Sequence, residues 1–109
     1  MSLPIRILPR AKMDFCRIFS YIEAASHEGA ARWREAFEGG LQRVSDGPEQ
    51  FGFAPEDQFT HFELRQLLFK TRHGLTYRFV FTVVDDDVFI LRLHGPGQPP
   101  LEPDEIPLG

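Results

Sequence analysis

Six side chains in the second half of the chain, Arg65, Lys70, Arg72, Arg78, Arg92 and His94, are of types that suit work on a phosphodiester. Cutting an RNA backbone takes three services. The 2′-hydroxyl is deprotonated, the charge developing on the phosphorane is stabilised, and the leaving 5′-oxygen is protonated. Arginine brings a planar fork of donors to the second service, and Arg78, Lys70 and Arg72 suit it. His94 suits proton transfer, because an unperturbed imidazole titrates at about 6.5. Tyr77 is a weaker candidate, since it falls on the core side of its strand. There is also a bland alternative. Arginines on a sheet face are most often solvated charges that discourage edge pairing, and a histidine at a strand end is most often a surface residue.

Whether these groups meet depends on the strands that carry them. Leu75 to Val84 is rich in aromatic and β-branched residues, and alternation puts Leu75, Tyr77, Phe79, Phe81 and Val83 on the core face. Arg78, Val80 and Thr82 then point the other way. In Val88 to His94 the same parity gives Phe89, Leu91 and Leu93 to the core and sends Val88, Ile90, Arg92 and His94 outward. Arg78, Arg92 and His94 are therefore expected together on a face open to solvent. The strand from Phe62 to Lys70 resists this treatment: if Leu67 and Phe69 are core, Arg65 is partly buried and bonds carbonyls or a carboxylate, a structural role.

The rest of the chain must support that sheet. Pro4 to Pro9 alternates between two prolines and reads as a short edge strand. Phe15, Ile18, Phe19 and Ile22 form a helical stripe within Ala11 to Ala25. Ser26 is placed to cap a second helix striped by Ala30, Trp33, Phe37, Leu41 and Val44 and stopped at Asp46-Gly47-Pro48. Gly39-Gly40 predicts an early end or a close packing there. Residues 46–61 are a long connection that Phe51, Phe53 and Phe59 tack to the core. Asp85-Asp86-Asp87 makes a turn, since aspartate tolerates left-handed backbone. These pieces predict an α+β two-layer sandwich, β-α-α-β-β-β, with a helical hairpin on a mainly antiparallel sheet. The domain spans 1–95, and 96–109 reads as an extended, Pro-rich acidic tail.

Composition narrows the options. With 109 residues the chain holds one domain, and its net charge of -4 argues against non-specific coating of DNA. Ten of its twelve basic residues are arginine, so a local patch can still meet RNA. The single cysteine, Cys16, excludes an intramolecular disulfide scaffold and fits a reducing compartment; it reads as a small core residue. No His/Asp/Glu spacing resembles a ligand set, so neither a metal nor another cofactor is expected. No apolar run is long enough for a membrane span, and no signal-peptide core is present.

Three segments carry a resemblance: Ala31-Arg32-Trp33 on the helical hairpin, Glu63-Leu64-Arg65-Gln66-Leu67, and Tyr77-Arg78-Phe79-Val80-Phe81. They are followed by Val88 to His94 and then Gly95-Pro96-Gly97-Gln98. In order and spacing the chain resembles the RelE/ParE family of bacterial type II toxins from about Ile5 to Leu101. The resemblance implies a small cytoplasmic toxin neutralised by a cognate antitoxin. RelE-type members cut mRNA in the ribosomal A site, whereas ParE-type members lack that nuclease set and poison DNA gyrase. Carried over, Arg78 corresponds to the arginine of the central strand and His94 to the acid/base region of the last strand. Lys70 and Arg72 fall in the basic segment before the central strand, with Arg92 a further phosphate contact. RelE-type nucleases tend to be basic, and many continue after the last strand with basic residues; this chain is acidic and continues with glycine and proline. The expectation is ribosome-dependent mRNA cleavage, with gyrase poisoning or a catalytically degenerate antitoxin binder as alternatives.

Overall fold

The computed structural model describes residues 2–71 and 74–107. β1 (Ile5–Ile7) leads through Pro9, in the first turn, into α1 (Pro9–Ala25). Ser26 ends α1 and caps α2 (His27–Asp46), its hydroxyl accepting from the Gly29 amide at 2.9 Å. After two 3-10 turns, Pro48–Gln50 and Pro55–Phe59, come β2 (Arg65–Lys70), β3 (Thr76–Val84) and β4 (Asp87–His94). The strands lie in the order β1-β4-β3-β2, with β1 parallel to β4 and the other pairs antiparallel. The α+β sandwich expected from the sequence is the fold observed, with β1 on an edge.

α1 and α2 cover one sheet face. Ile18, Trp33, Phe37 and Val44 are buried there with Leu67, Phe69, Phe79, Phe81, Val88, Ile90 and Leu93. Trp33 stacks on Phe37 and meets Tyr77 edge-on, with centroids 6.0 and 5.6 Å away. α2 runs unbroken through Gly39-Gly40. A Cβ on Gly40 would meet Leu67 Cδ2 at 3.0 Å, so the helix backbone packs closely against the sheet at Gly40. Asp85 and Asp86 have φ of 51° and 67°, the left-handed pair that a two-residue hairpin turn requires. Leu3, which matched no sequence pattern, is tied to α2 by its amide on the Ser45 carbonyl at 2.9 Å.

Strand parity was only partly legible. β3 alternates as expected from Tyr77 to Phe81, but Leu75 lies before the strand and is exposed, as is Val83. β4 departs further. Val80 pairs with Arg92 while Phe81 pairs with Ile90, so Leu91 is an extra residue, a β-bulge. Before it Val88 and Ile90 face the helices; after it Leu93 does; Phe89 and Leu91 lie on the far side. The bulge reverses the predicted assignment of four residues, while His94 keeps its predicted face.

The far face is not open. A second apolar cluster buries Ala54, Leu64, Val80, Leu91, Leu101 and Ile106 there. Two of those residues come from the predicted extended tail, which instead folds back across β3 and β4 and ends in a 3-10 turn, Pro103–Glu105. Burying two aliphatic side chains, at roughly 1.5–3 kcal/mol each, offsets the entropy of ordering that segment. The long connection is held by Phe51, Ala54 and Glu56, whereas Phe53 and Phe59 are exposed. Cys16, expected in the core, is exposed as well.

Candidate functional site

β3 carries Arg78 onto the far face, where its cross-strand partners are Leu68 on β2 and His94 on β4. The connection between α2 and β2 brings in a fourth element. Ala54 donates to the Leu64 carbonyl and Leu64 donates to Asp57 Oδ1, both at 2.8 Å, which pins the 3-10 turn Pro55–Phe59 over the sheet. That turn drives Glu56 inward until it is 1% exposed.

Arg78 then meets Glu56 through a bidentate fork, Nη1 to Oε1 at 3.0 Å and Nη2 to Oε2 at closer range. Nη1 also donates to Gln66 Oε1 at 3.2 Å. Nε and Nη2 both lie against His94 Nδ1, at 3.3 and 3.1 Å. All five guanidinium donors are thereby engaged. Because arginine can only donate, Nδ1 must accept, which fixes His94 as the neutral imidazole with its proton on Nε2. Glu56 Oε2 also accepts from the Leu101 amide at 2.9 Å, so the tail closes the cluster from above.

The electrostatics agree with that closure. Burial pushes the His94 pKa down from 6.5, and the Arg78 charge pushes it further. Burial alone would raise the Glu56 carboxyl, but the hydrogen bonds from Arg78 and the Leu101 amide outweigh it and hold the group below its usual value. The signs give a prediction. Below about pH 6.5 the unfolded chain takes a proton on His94 that the folded chain refuses, so stability falls as the pH drops through that range. Below the ordinary carboxylate range Glu56 acts the same way, since its stabilisation is lost as pH falls toward its lowered folded value. Urea unfolding from about pH 8 to about pH 2 should show both stages, and His94→Gln should remove the first while leaving the second. An unchanged profile in His94→Gln would show that another group titrates.

Arg92, expected to face RNA, is turned to the sheet edge. β1 ends at Ile7, so the β4 amide of Leu93 has no strand beside it, and Asp14 of α1 accepts from it at 3.0 Å. Asp14 also takes Arg92 Nε at 2.8 Å and Nη2 at 3.1 Å, and Arg92 Nη1 donates to the Glu105 carbonyl at 2.9 Å. The bond to Asp14 raises the Arg92 pKa above its ordinary value. Arg65 shares the face of Leu67 and Phe69, donates to the Phe51 carbonyl at 2.5 Å and sits 4.4 Å over the Phe53 ring. Tyr77 packs on the core side, where burial raises its pKa. Lys70 is exposed at the end of β2, two residues beyond the partner of Arg78, and contributes nothing to the cluster. Arg72 and His73 lie outside the described residues.

Glu56 and Asp14 are the two site residues that sequence reasoning missed. One lies in a polar loop and the other immediately before Phe15, the first residue of the α1 stripe, and neither position announces a buried acid. The available signal was indirect: two arginines assigned to a sheet face call for counter-charges. Among the described residues no three His, Cys, Asp or Glu side chains are grouped to hold a metal ion. Nor is any helix among them long and apolar enough to cross a membrane.

Residues 5–95 match the family model described as the ParE toxin of the type II toxin–antitoxin system parDE. The chain belongs to that family. Its helical hairpin and mixed sheet are also those of the E. coli toxin RelE, solved in the free state as an arginine-substituted mutant. That structure is 19% identical, covers 89% of this chain and 86% of its own, and has a TM-score of 0.58. The toxin–antitoxin complex RelBE2 from Mycobacterium tuberculosis is 22% identical over 87% of this chain and 99% of that one, with a TM-score of 0.49. No curated protein matches the sequence. The family match stops at Gly95, so the segment carrying Leu101 and Ile106 lies outside it. The ParE-family part of the chain thus supplies Arg78, His94 and Glu56, and the segment after Gly95 supplies their cover.

Proposed function

We propose that this ParE-family toxin acts by binding a protein target, DNA gyrase in ParE-type members, rather than by cutting RNA, and that a cognate antitoxin neutralises it. One observation carries the reading. The arginine that would stabilise a phosphorane has no free donor: Arg78 is 13% exposed along its side chain, and its charge is met by Glu56. Oxyanion stabilisation requires donors aimed at an empty position where charge will develop. The acidic net charge and the match to the ParE model support the same reading.

A second reading has one observation in its favour, the placement of His94 against Arg78. In it the chain is a ribosome-dependent mRNA endonuclease, with Arg78 stabilising the phosphorane, His94 as acid or base, and Lys70 and Arg72 holding phosphates. That reading requires Glu56 and the segment around Leu101 to withdraw. Arg92 is left out of both readings because its fork is committed to Asp14.

Inducing the chain without antitoxin separates them. The gyrase reading expects inhibited supercoiling by purified gyrase, a DNA-damage response in cells, and no new mRNA 5′ ends. New cuts inside translated codons that vanish in His94→Gln would overturn it in favour of the nuclease. No arrest at all, with soluble protein present, would leave a degenerate antitoxin binder.

A further inference from the structure

We propose that the groove between α1 and the start of β3 docks an acidic segment of the antitoxin that inserts an apolar anchor; this rests on the reading of the chain as an antitoxin-neutralised toxin. Two adjoining cavities of about 560 and 220 Å³ share Leu75 and Tyr77 as a common wall. The larger is bounded by Arg17 and Tyr21 of α1, the smaller by Trp33 of α2. Large apolar side chains of the lining stand exposed: Tyr21 is 82% exposed and Leu75 65%, and Met13, one turn before Arg17 on α1, is 69% exposed. Met13, Arg17 and Tyr21 recur every four residues and so share one outward row of α1. Exposed apolar groups gathered beside a groove mark a contact surface.

An exposed cation and an unpartnered buried N–H point to the occupant. Arg17 has Asp14 as its nearest acid, 3.6 Å away, and Asp14 already accepts from Arg92 through both oxygens and from the Leu93 amide. The Arg17 guanidinium therefore shares its counter-charge with Arg92 and, with 57% of its side chain exposed, is accessible to a further carboxylate. The Trp33 indole N–H is buried with no acceptor among the described residues. No acid among the described residues lines either cavity, although the chain carries 16 of them. A segment with a carboxylate for Arg17, an oxygen for the indole and an aliphatic or aromatic side chain between Tyr21 and Leu75 completes the surface. One cation among the described lining residues, beside this many apolar groups, suits a protein segment better than a nucleic acid, which requires a track of cations for its phosphates.

The test titrates the purified protein encoded beside this chain into the chain by calorimetry. Leu75→Asp should weaken the complex on the order of 100-fold and Arg17→Gln on the order of 10-fold. Arg34→Glu, on the other side of the helical hairpin, should change it less than about threefold, as expected of a charge away from the contact. Melting curves check folding, and Tyr21→Ala replaces Leu75→Asp if the latter is unstable. Trp33 is the only tryptophan, so its single indole N–H resonance should move downfield as it gains an acceptor. A tight complex that ignores the groove variants and leaves that resonance unmoved would overturn the proposal alone. Failure of the unaltered chain to bind removes the antitoxin reading and the proposal with it. An RNA oligonucleotide that binds through Arg17 while the antitoxin does not need it would also overturn the proposal.

Discussion

Arg78→Ala should lose about 3–5 kcal/mol of folding stability, the cost of removing one partner from a buried ion pair. The substitution strands Glu56, which is buried and keeps backbone amides, its own and that of Leu101, but no counter-charge, and it also deprives Gln66 and His94 of their partner. Strand parity alone predicts the opposite: a side chain pointing away from the helices should be dispensable for folding. The structure reverses that expectation because the far face has a core of its own. Urea unfolding at pH 7 measures the loss, and a second variant assigns the cause. Arg78→Met with Glu56→Gln removes both charges and should recover most of the stability, since replacing a buried pair is far cheaper than breaking it. A single variant as stable as the parent within about 0.5 kcal/mol would mean the pair is not formed, because surface changes stay in that range. The prediction also bears on function: a non-toxic Arg78→Ala does not by itself identify a catalyst, and His94→Gln is the cleaner probe.

The frame was legible in the sequence because it rests on local patterns. Helical stripes placed both helices on the sheet, Ser26 marked the boundary between them, and the aspartate run marked the last hairpin. The position of Arg65 was readable only conditionally, following from parity once Leu67 and Phe69 are taken as core, and β2 turns out to carry no bulge that would break it. What escaped was long-range. The bulge at Leu91 adds one residue without any glycine or proline to signal it, yet it decides which of Val88, Phe89, Ile90 and Leu91 face the helices. The tail has the proline content of an extended segment, but its fate turns on Leu101 and Ile106 meeting Val80 and Leu91, residues ten or more positions earlier on different strands. The candidate site was half readable for the same reason. Arg78 and His94 could be paired by parity across adjacent strands, whereas Glu56 reaches them only because the 54–64 connection folds over the sheet. A cationic open face and a neutral closed one share the same arginine and histidine. The acid decides between them.

Asp14→Ala should be comparably damaging, at about 3–5 kcal/mol, although nothing in the helical stripe singles the residue out. Its carboxylate does three things at once. It ends the β4 ladder where β1 has already stopped, it neutralises Arg92, and it lies nearest to Arg17. Removing it leaves a buried amide without an acceptor and a largely buried guanidinium without its counter-charge, holding the Glu105 carbonyl through Nη1, and both costs fall on the folded state. Arg92→Met should cost less, because Asp14 keeps the Leu93 amide and can turn to Arg17, and the methionine stem retains part of the packing. The order Asp14→Ala worse than Arg92→Met reflects which residue holds several partners. A phosphate-binding Arg92 predicts something else: stability unchanged in both variants and a loss confined to RNA affinity. Unfolding curves for the two variants, with RNA binding measured alongside, separate an arginine that serves the sheet edge from one that serves a substrate. Equal stability of all three proteins would restore Arg92 as a substrate contact.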